Sequence, residues 1–265
     1  PTVITSAGLG RLLIFDATSE TTPLGDLPSV EQGSFALLCA GDQGDIAKMP
    51  ATKPEVNSID VSVDAQLTAA GDLQASLNTA RKGQPADSAR DAHLRLNPDE
   101  FRRYFEQVLS RTVKAASVSS FDASDNFAEN TFDTKIAFTS HNYAQLMQQR
   151  LLLFSPSMIE PSAPVFPVNT RRTEPIVLRA ELYRKHVRLK LPEGFKLDEI
   201  PESATADSAF AHFSLRFRQQ AGELIMDEEL STEAVTLPPE QYHEVKAFFD
   251  KFGGADQQRA VLVKD

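Results

Sequence analysis

Apolar and polar residues alternate cleanly along residues 58–77. Ile59, Val61, Val63 and Ala65 fall on one face and Asp60, Ser62 and Asp64 on the other; Leu73, Ala75 and Leu77 resume the pattern beyond Ala70-Gly71-Asp72. Period-two alternation about a Gly turn predicts an antiparallel hairpin with one wet face. The pattern returns in Val187, Leu189 and Leu191, and in Phe213, Leu215 and Phe217, which precede a second turn signal at Ala221-Gly222-Glu223. Strands are also expected around 115–120, 131–139, 145–154, 224–232 and 260–263. Helical spacing appears twice. Asn97-Pro98-Asp-Glu supplies an N-cap, a first-turn proline and acids, and Phe101, Tyr104, Phe105, Val108 and Leu109 form an apolar stripe behind it. Pro238-Pro239-Glu-Gln starts a second helix carrying Tyr242, Val245, Phe248, Phe249 and Phe252, with Gly253-Gly254 as its expected stop. Residues 79–93 read as a loop or weak helix. The hairpin-then-helix order recurs, which predicts an internal duplication.

The first 52 residues follow a different pattern. Two short apolar runs, Arg11–Phe15 and Phe35–Cys39, flank a turn-rich stretch with Pro23, Gly25, Pro28 and Gly33, and they read as two buried strands. A boundary is expected near residue 53. Pro156, Pro161, Pro164, Pro167 and Pro175 mark an extended connector. The organisation expected is therefore 1–52, then 53–265, the latter divisible into 53–154 and 176–265. The fold class is mainly β, α+β: an antiparallel β-sandwich with two or more packed amphipathic helices, plus remnant strands in 1–52.

Composition narrows the chemistry. The 265 residues are long enough to bury a sizeable core and suggest roughly two domains. A net charge of −10 argues against a nucleic-acid or anionic-membrane surface. No apolar run reaches the ~18 residues of a membrane span. The basic cluster Arg184-Lys185-His186 with Arg188 and Lys190 reads as a solvated strand face, and Asp227-Glu228-Glu229 as a charged strand edge rather than a cation site. The single cysteine, Cys39, excludes an intrachain disulfide and a Cys-based metal site. Lying in an apolar run without an adjacent base, it is expected to be a buried, inert thiol. His93, His141, His186, His212 and His243 show no paired spacing, so no metal is implied; His141 is expected to cap a turn. Neither a Gly-x-Ser-x-Gly elbow nor a phosphate-cradling Gly loop is present, so no cofactor is expected.

Asp16 remains, at the end of an apolar strand. By local sequence it begins a turn, its carboxylate accepting a backbone N–H. Its surroundings carry a further signal. Leu13-Ile-Phe-Asp-Ala-Thr18, Thr22-Pro-Leu-Gly-Asp-Leu-Pro28 and Gln32-Gly-Ser-Phe-Ala-Leu37 resemble the end of the transglutaminase-like, papain-related domain of a group of bacterial exported proteins. In that group a β-rich region follows the core, and this chain is similar to it through Pro50-Ala-Thr-x-Pro54, the Pro98–Leu109 helix, Leu191-Pro-Glu-Gly-Phe195, Ile200-Pro201, Pro238–Tyr242 and Asp256–Lys264. The resemblance implies that Asp16 is the orienting carboxylate of a Cys-His-Asp triad. The nucleophile and base would lie upstream of Pro1, the chain opening inside that core. By this reading residues 53–265 are an accessory scaffold, silent by themselves and extracytoplasmic. Their partners would be the rest of the parent chain and a protein or peptidoglycan-type ligand. The alternative from the residues alone is an independent β-sandwich module binding protein or glycan, with Asp16 purely structural. A self-sufficient hydrolase using Cys39 is disfavoured, because Cys39 follows Asp16, out of order for that family's nucleophile.

Overall fold

A computed structural model describes residues 2–5, 12–28, 30–40, 43–159, 163, 164, 166 and 172–265. Arg11 and much of the proline-rich connector, Pro161 and Pro167 included, lie outside them.

The chain begins with two ribbons, β1 (Thr2–Thr5) with β2 (Leu12–Phe15), and β3 (Phe35–Ala40) with β4 (Gln43–Lys48). Then come β5 (Ser58–Leu67), β6 (Leu73–Lys82), α1 (Gln84–Arg95), α2 (Pro98–Ser110), β7 (Ala116–Asn126), β8 (Thr131–Ser140), β9 (Gln145–Met147) and β10 (Leu151–Phe154). The remainder supplies β11 (Ile176–Leu178), β12 (Glu181–Lys190), β13 (Phe195–Glu199), β14 (Ala204–Asp207), β15 (Ala211–Gln220), β16 (Glu223–Thr232), β17 (Val235–Leu237), α3 (Tyr242–Asp256) and β18 (Ala260–Lys264).

The mainly β, α+β class expected from the pattern is what forms. Eight strands build the principal sheet in the order β14-β15-β16-β12-β5-β6-β8-β7. Every neighbouring pair in it is antiparallel except β12–β5, which is parallel. A smaller four-stranded sheet runs β13-β18-β10-β9, and β11 pairs with β17. The layer facing the principal sheet is mixed. α1 and α2 contact β6, β7 and β8, while α3 contacts β14 and β15. The smaller sheet adds Leu152, Phe154, Ala260 and Leu262 to the same apolar cluster.

Local rules account for the elements. Asn97 caps α2 by a capping box: its Oδ1 accepts from the Glu100 N–H, and Glu100 Oε2 accepts from the Asn97 N–H. Phe101, Phe105 and Leu109 are buried, whereas Tyr104 and Val108 are exposed, so the stripe is narrower than the spacing suggested. Residues 84–95 form a full helix despite low hydrophobicity; small Ala86 and Ala89 let it lie close to the sheet. α3 does not stop at Gly253-Gly254 but continues to Asp256, whose carboxylate is held from the sheet side. The two Gln residues after Met147 adopt left-handed φ of 50° and 54°, which splits the run 145–154 into β9 and β10.

The expected duplication fails on topology. In the first hairpin the leading strand, β5, is innermost; in the second it is the trailing strand, β16, with β15 outboard. β17 also intervenes before α3.

Gly71 shows where one backbone position is demanding. Its φ is +90°, and a Cβ there would sit 2.4 Å from the Ala144 carbonyl oxygen. The Ala144 N–H donates to Gly71 O at 2.9 Å, stitching the turn after β8 onto the β5–β6 loop. Gly71→Ala is expected to destabilise by about 1–3 kcal/mol, from the strained φ and the displaced stitch. Urea denaturation measures this, and a loss under about 0.5 kcal/mol would contradict the stated geometry.

Candidate functional site

Asp16 follows β2 and opens a turn, as its local sequence predicts. The Thr18 N–H donates to Asp16 Oδ1 at 2.9 Å and the Thr18 hydroxyl to the same oxygen at 2.7 Å. These bonds hold its carboxyl below the ordinary carboxylate value. Oδ2 accepts no hydrogen bond among the described residues.

A few residues later the chain is pinned to α1 by a polar clasp that the sequence pattern did not single out. Arg90, buried on α1, donates from Nη1 to the Thr21 carbonyl (2.6 Å), to Asp87 Oδ1 (3.2 Å) and to Asn130 Oδ1 (3.1 Å). Its Nε and Nη2 grip the Asp125 carboxylate of β7 at 2.8–2.9 Å. The Thr22 hydroxyl donates to Asp87 Oδ2 at 2.9 Å, and Asn130 Nδ2 to Asp26 Oδ2 at 2.9 Å. Gln84 Nε2 donates to the Leu27 carbonyl at 2.6 Å, beneath a Leu27 side chain that is itself buried. Burial pushes the Asp87 carboxyl up to about 6, against the opposing pull of Thr22, Asn130 and Arg90. Residues 21–27 are thus bonded directly to the β region.

The β3–β4 ribbon differs from expectation. Phe35, Leu37 and Ile46 are exposed by 74%, 69% and 67%, and Cys39 on the same face is exposed as well. The ribbon pairs with no further strand among the described residues, so Cys39 is not the buried thiol its apolar run implied.

The wet face of the principal sheet carries a charged ladder set by strand register. Arg184 on β12 reaches Glu229 of β16 (3.1 Å) and Asp60 of β5 (3.4 Å). His186 Nδ1 lies 2.6 Å from Asp227 Oδ1, whose other oxygen accepts from Arg218 Nη1 at 2.5 Å. His212 Nδ1 similarly lies 2.6 Å from Asp207 Oδ1. Asp60, Arg184, His186, His212, Asp227 and Glu229, with Ser62, Ser214 and Arg216, line a shallow concavity of about 530 Å³. Asp227 and Glu229 therefore belong to an interior strand, not to the charged sheet edge their run suggested. His141 lies 3.4 Å from Asp72 at the turn after β8, where a cap was expected. Among the described residues no group of His, Cys, Asp and Glu is arranged to hold a metal, and no helix is long and apolar enough to cross a membrane.

Lys185 is the plainest departure. It shares the core-facing side of β12 with Val187 and Leu189 and is fully buried, instead of lying in a solvated basic face. Its ammonium donates to Ser157 Oγ (2.6 Å), Ile159 O (2.8 Å) and Asp256 Oδ1 (2.9 Å), and lies 2.5 Å from Glu228 Oε2. The Ser157 hydroxyl donates to Asp256 Oδ1 at 2.5 Å. The Ser–Lys contact has the distance of a nucleophile–base pair, but an ammonium donating in three directions has no lone pair with which to accept a proton.

Comparison with known proteins gives limited likeness. Residues 149–262 match a domain of unknown function with solved structures, DUF3858. A crystal structure of "a putative protease from Parabacteroides distasonis" overlaps 44% of this chain with TM-score 0.37 and 10% identity; this chain spans 24% of that one. No curated protein matches the sequence.

Proposed function

We propose that this chain is the non-catalytic, C-terminal scaffold region of a transglutaminase-like cysteine enzyme of amide hydrolysis or acyl transfer. Asp16 would be the only triad member that it contributes. The observation that carries the reading is the clasp. Arg90, Asp87, Gln84 and Asn130 bond residues 21–27 to the β region, so the segment that presents Asp16 is held from behind by a large folded body. The Asp16 carboxylate suits the role, because Thr18 engages Oδ1 and leaves Oδ2 for an imidazole N–H. Such a carboxylate fixes the imidazole tautomer and stabilises the positive charge formed as the thiol gives up its proton. Site, partner and extracytoplasmic location all follow from the resemblance of residues 13–37 to the end of that catalytic core.

The test uses the full-length parent protein, assayed for amidase and acyl-transfer activity with and without Asp16→Asn. The expected result is a fall in kcat on the order of 10³–10⁴ with an unchanged melting temperature. Equal activity in both forms would remove Asp16 from the mechanism.

The concavity on the wet sheet face favours a second reading, an independent module that binds a protein or glycan. That reading requires residues 53–265 alone to retain the parent's ligand binding.

A further inference from the structure

The cluster beneath β12 holds one cation for two carboxylates. Lys185 from β12, Glu228 from β16 and Asp256 from the last turn of α3 expose 0%, 0% and 4% of their side chains. Glu228 Oε2 lies 2.5 Å from the ammonium, which also donates to Ser157, Ile159 and Asp256, so one cation is shared between two carboxylates. With both carboxylates ionised the cluster carries net negative charge away from water, which costs several kcal/mol. A single proton on Glu228 makes it neutral.

Two elements depend on this cluster. The chain leaving β10 is bound to the sheet through Ser157 and Ile159, and the end of α3 through Asp256. We propose that Lys185, Glu228, Asp256 and Ser157 form a proton-operated fastener. It holds residues 155–159 and the last turn of α3 against the principal sheet while Glu228 is protonated, and relaxes when that proton leaves.

The surroundings support it. Burial, aided by Asp256, pushes the Glu228 carboxyl up to about 7, with Lys185 opposing the rise. Tyr183, on the same face of β12, has a buried hydroxyl without a hydrogen-bond partner among the described residues, and burial raises it far above its ordinary value, so it stays neutral. The Tyr143 hydroxyl donates to the Ser155 carbonyl and is likewise raised by burial. No other titratable or charged side chain makes a hydrogen bond or ion pair with the cluster among the described residues.

The sign follows from linkage. When the fastener opens, Glu228 meets water and returns to its ordinary value of 4.5; when closed, it titrates near 7. Below the first value both forms bind the proton and the closed form has its full stability. Between the two only the closed form holds it, so opening is favoured by up to about tenfold per pH unit as pH rises, and the change levels off above 7.

Hydrogen exchange on the intact chain between pH 5 and 8.5, corrected for intrinsic rates, tests the idea. Protection of residues 155–159 and 252–256 should fall by up to about tenfold per unit toward pH 7 and then flatten, while β5 and β6 stay constant. Glu228→Gln, a neutral isostere, should hold protection flat at the low-pH level. Asp256→Asn, which leaves one carboxylate for one ammonium, should move the fall to lower pH. A flat wild-type profile, a Glu228→Gln profile with the wild-type slope, or parallel loss in β5 and β6 would each overturn the proposal.

Discussion

Lys185→Ala is expected to destabilise the protein by about 3–5 kcal/mol, because it leaves the buried carboxyl groups of Glu228 and Asp256 without the ammonium that pairs with both. Total stabilities of ~5–15 kcal/mol make that a large share. The pair Lys185–Glu228 is cross-strand, set opposite by the β12–β16 register, so backbone movement cannot relieve the charge without breaking the ladder. Denaturation in urea at pH 7 measures the loss, with the m-value as a check on two-state behaviour. A companion variant separates charge from packing. Replacing Lys185, Glu228 and Asp256 together by apolar residues of similar volume is expected to recover most of the loss, since a well-packed apolar cluster does not bear the desolvation cost. A Lys185→Ala effect below about 1 kcal/mol would show that water reaches the cluster.

Arg90→Ala is expected to be similarly severe, about 3–5 kcal/mol, but its first consequence should be local. It removes the side chain that joins the Thr21 carbonyl, Asp87, Asn130 and the Asp125 carboxylate in one fork. The segment 12–28 should then become susceptible to limited proteolysis at denaturant concentrations that leave β5 and β6 protected. Arg90→Lys should recover only part of the effect, because an ammonium cannot reproduce the bidentate grip. If segment 12–28 resists cleavage equally in wild type and Arg90→Ala, the clasp is not what holds it.

Much of this was legible in the residues, and parity explains both the successes and one failure. Val187 and Leu189 point to the core, so Lys185 must share their side; Leu224, Met226 and Leu230 impose the same on Glu228. Counting charges along the run hid what counting alternate positions would have exposed. Helix α2 was readable because its capping box and apolar stripe are local signals. α1 was not, because Ala86 and Ala89 carry little apolar surface and its buried charges Asp87 and Arg90 find partners from distant segments. The exposure of Cys39 depends on what lies over the β3–β4 ribbon, which no local pattern encodes. Asp16 was readable as a turn-former through Thr18; any partner for its second oxygen lies beyond the local sequence.

The parallel pairing of β12 with β5 has a kinetic consequence. Partners such as Arg184 and Asp60 are 124 residues apart in sequence, so the central seam of the principal sheet closes across nearly half the chain. Hairpins β5–β6 and β15–β16 need only short loops and zip early, whereas the seam must wait for a slow, entropically costly encounter. Until then two long inner strands are open edges, each a template for the matching strand of another molecule. Crowded refolding therefore favours exchange of whole halves between chains, and dilution favours the closed monomer.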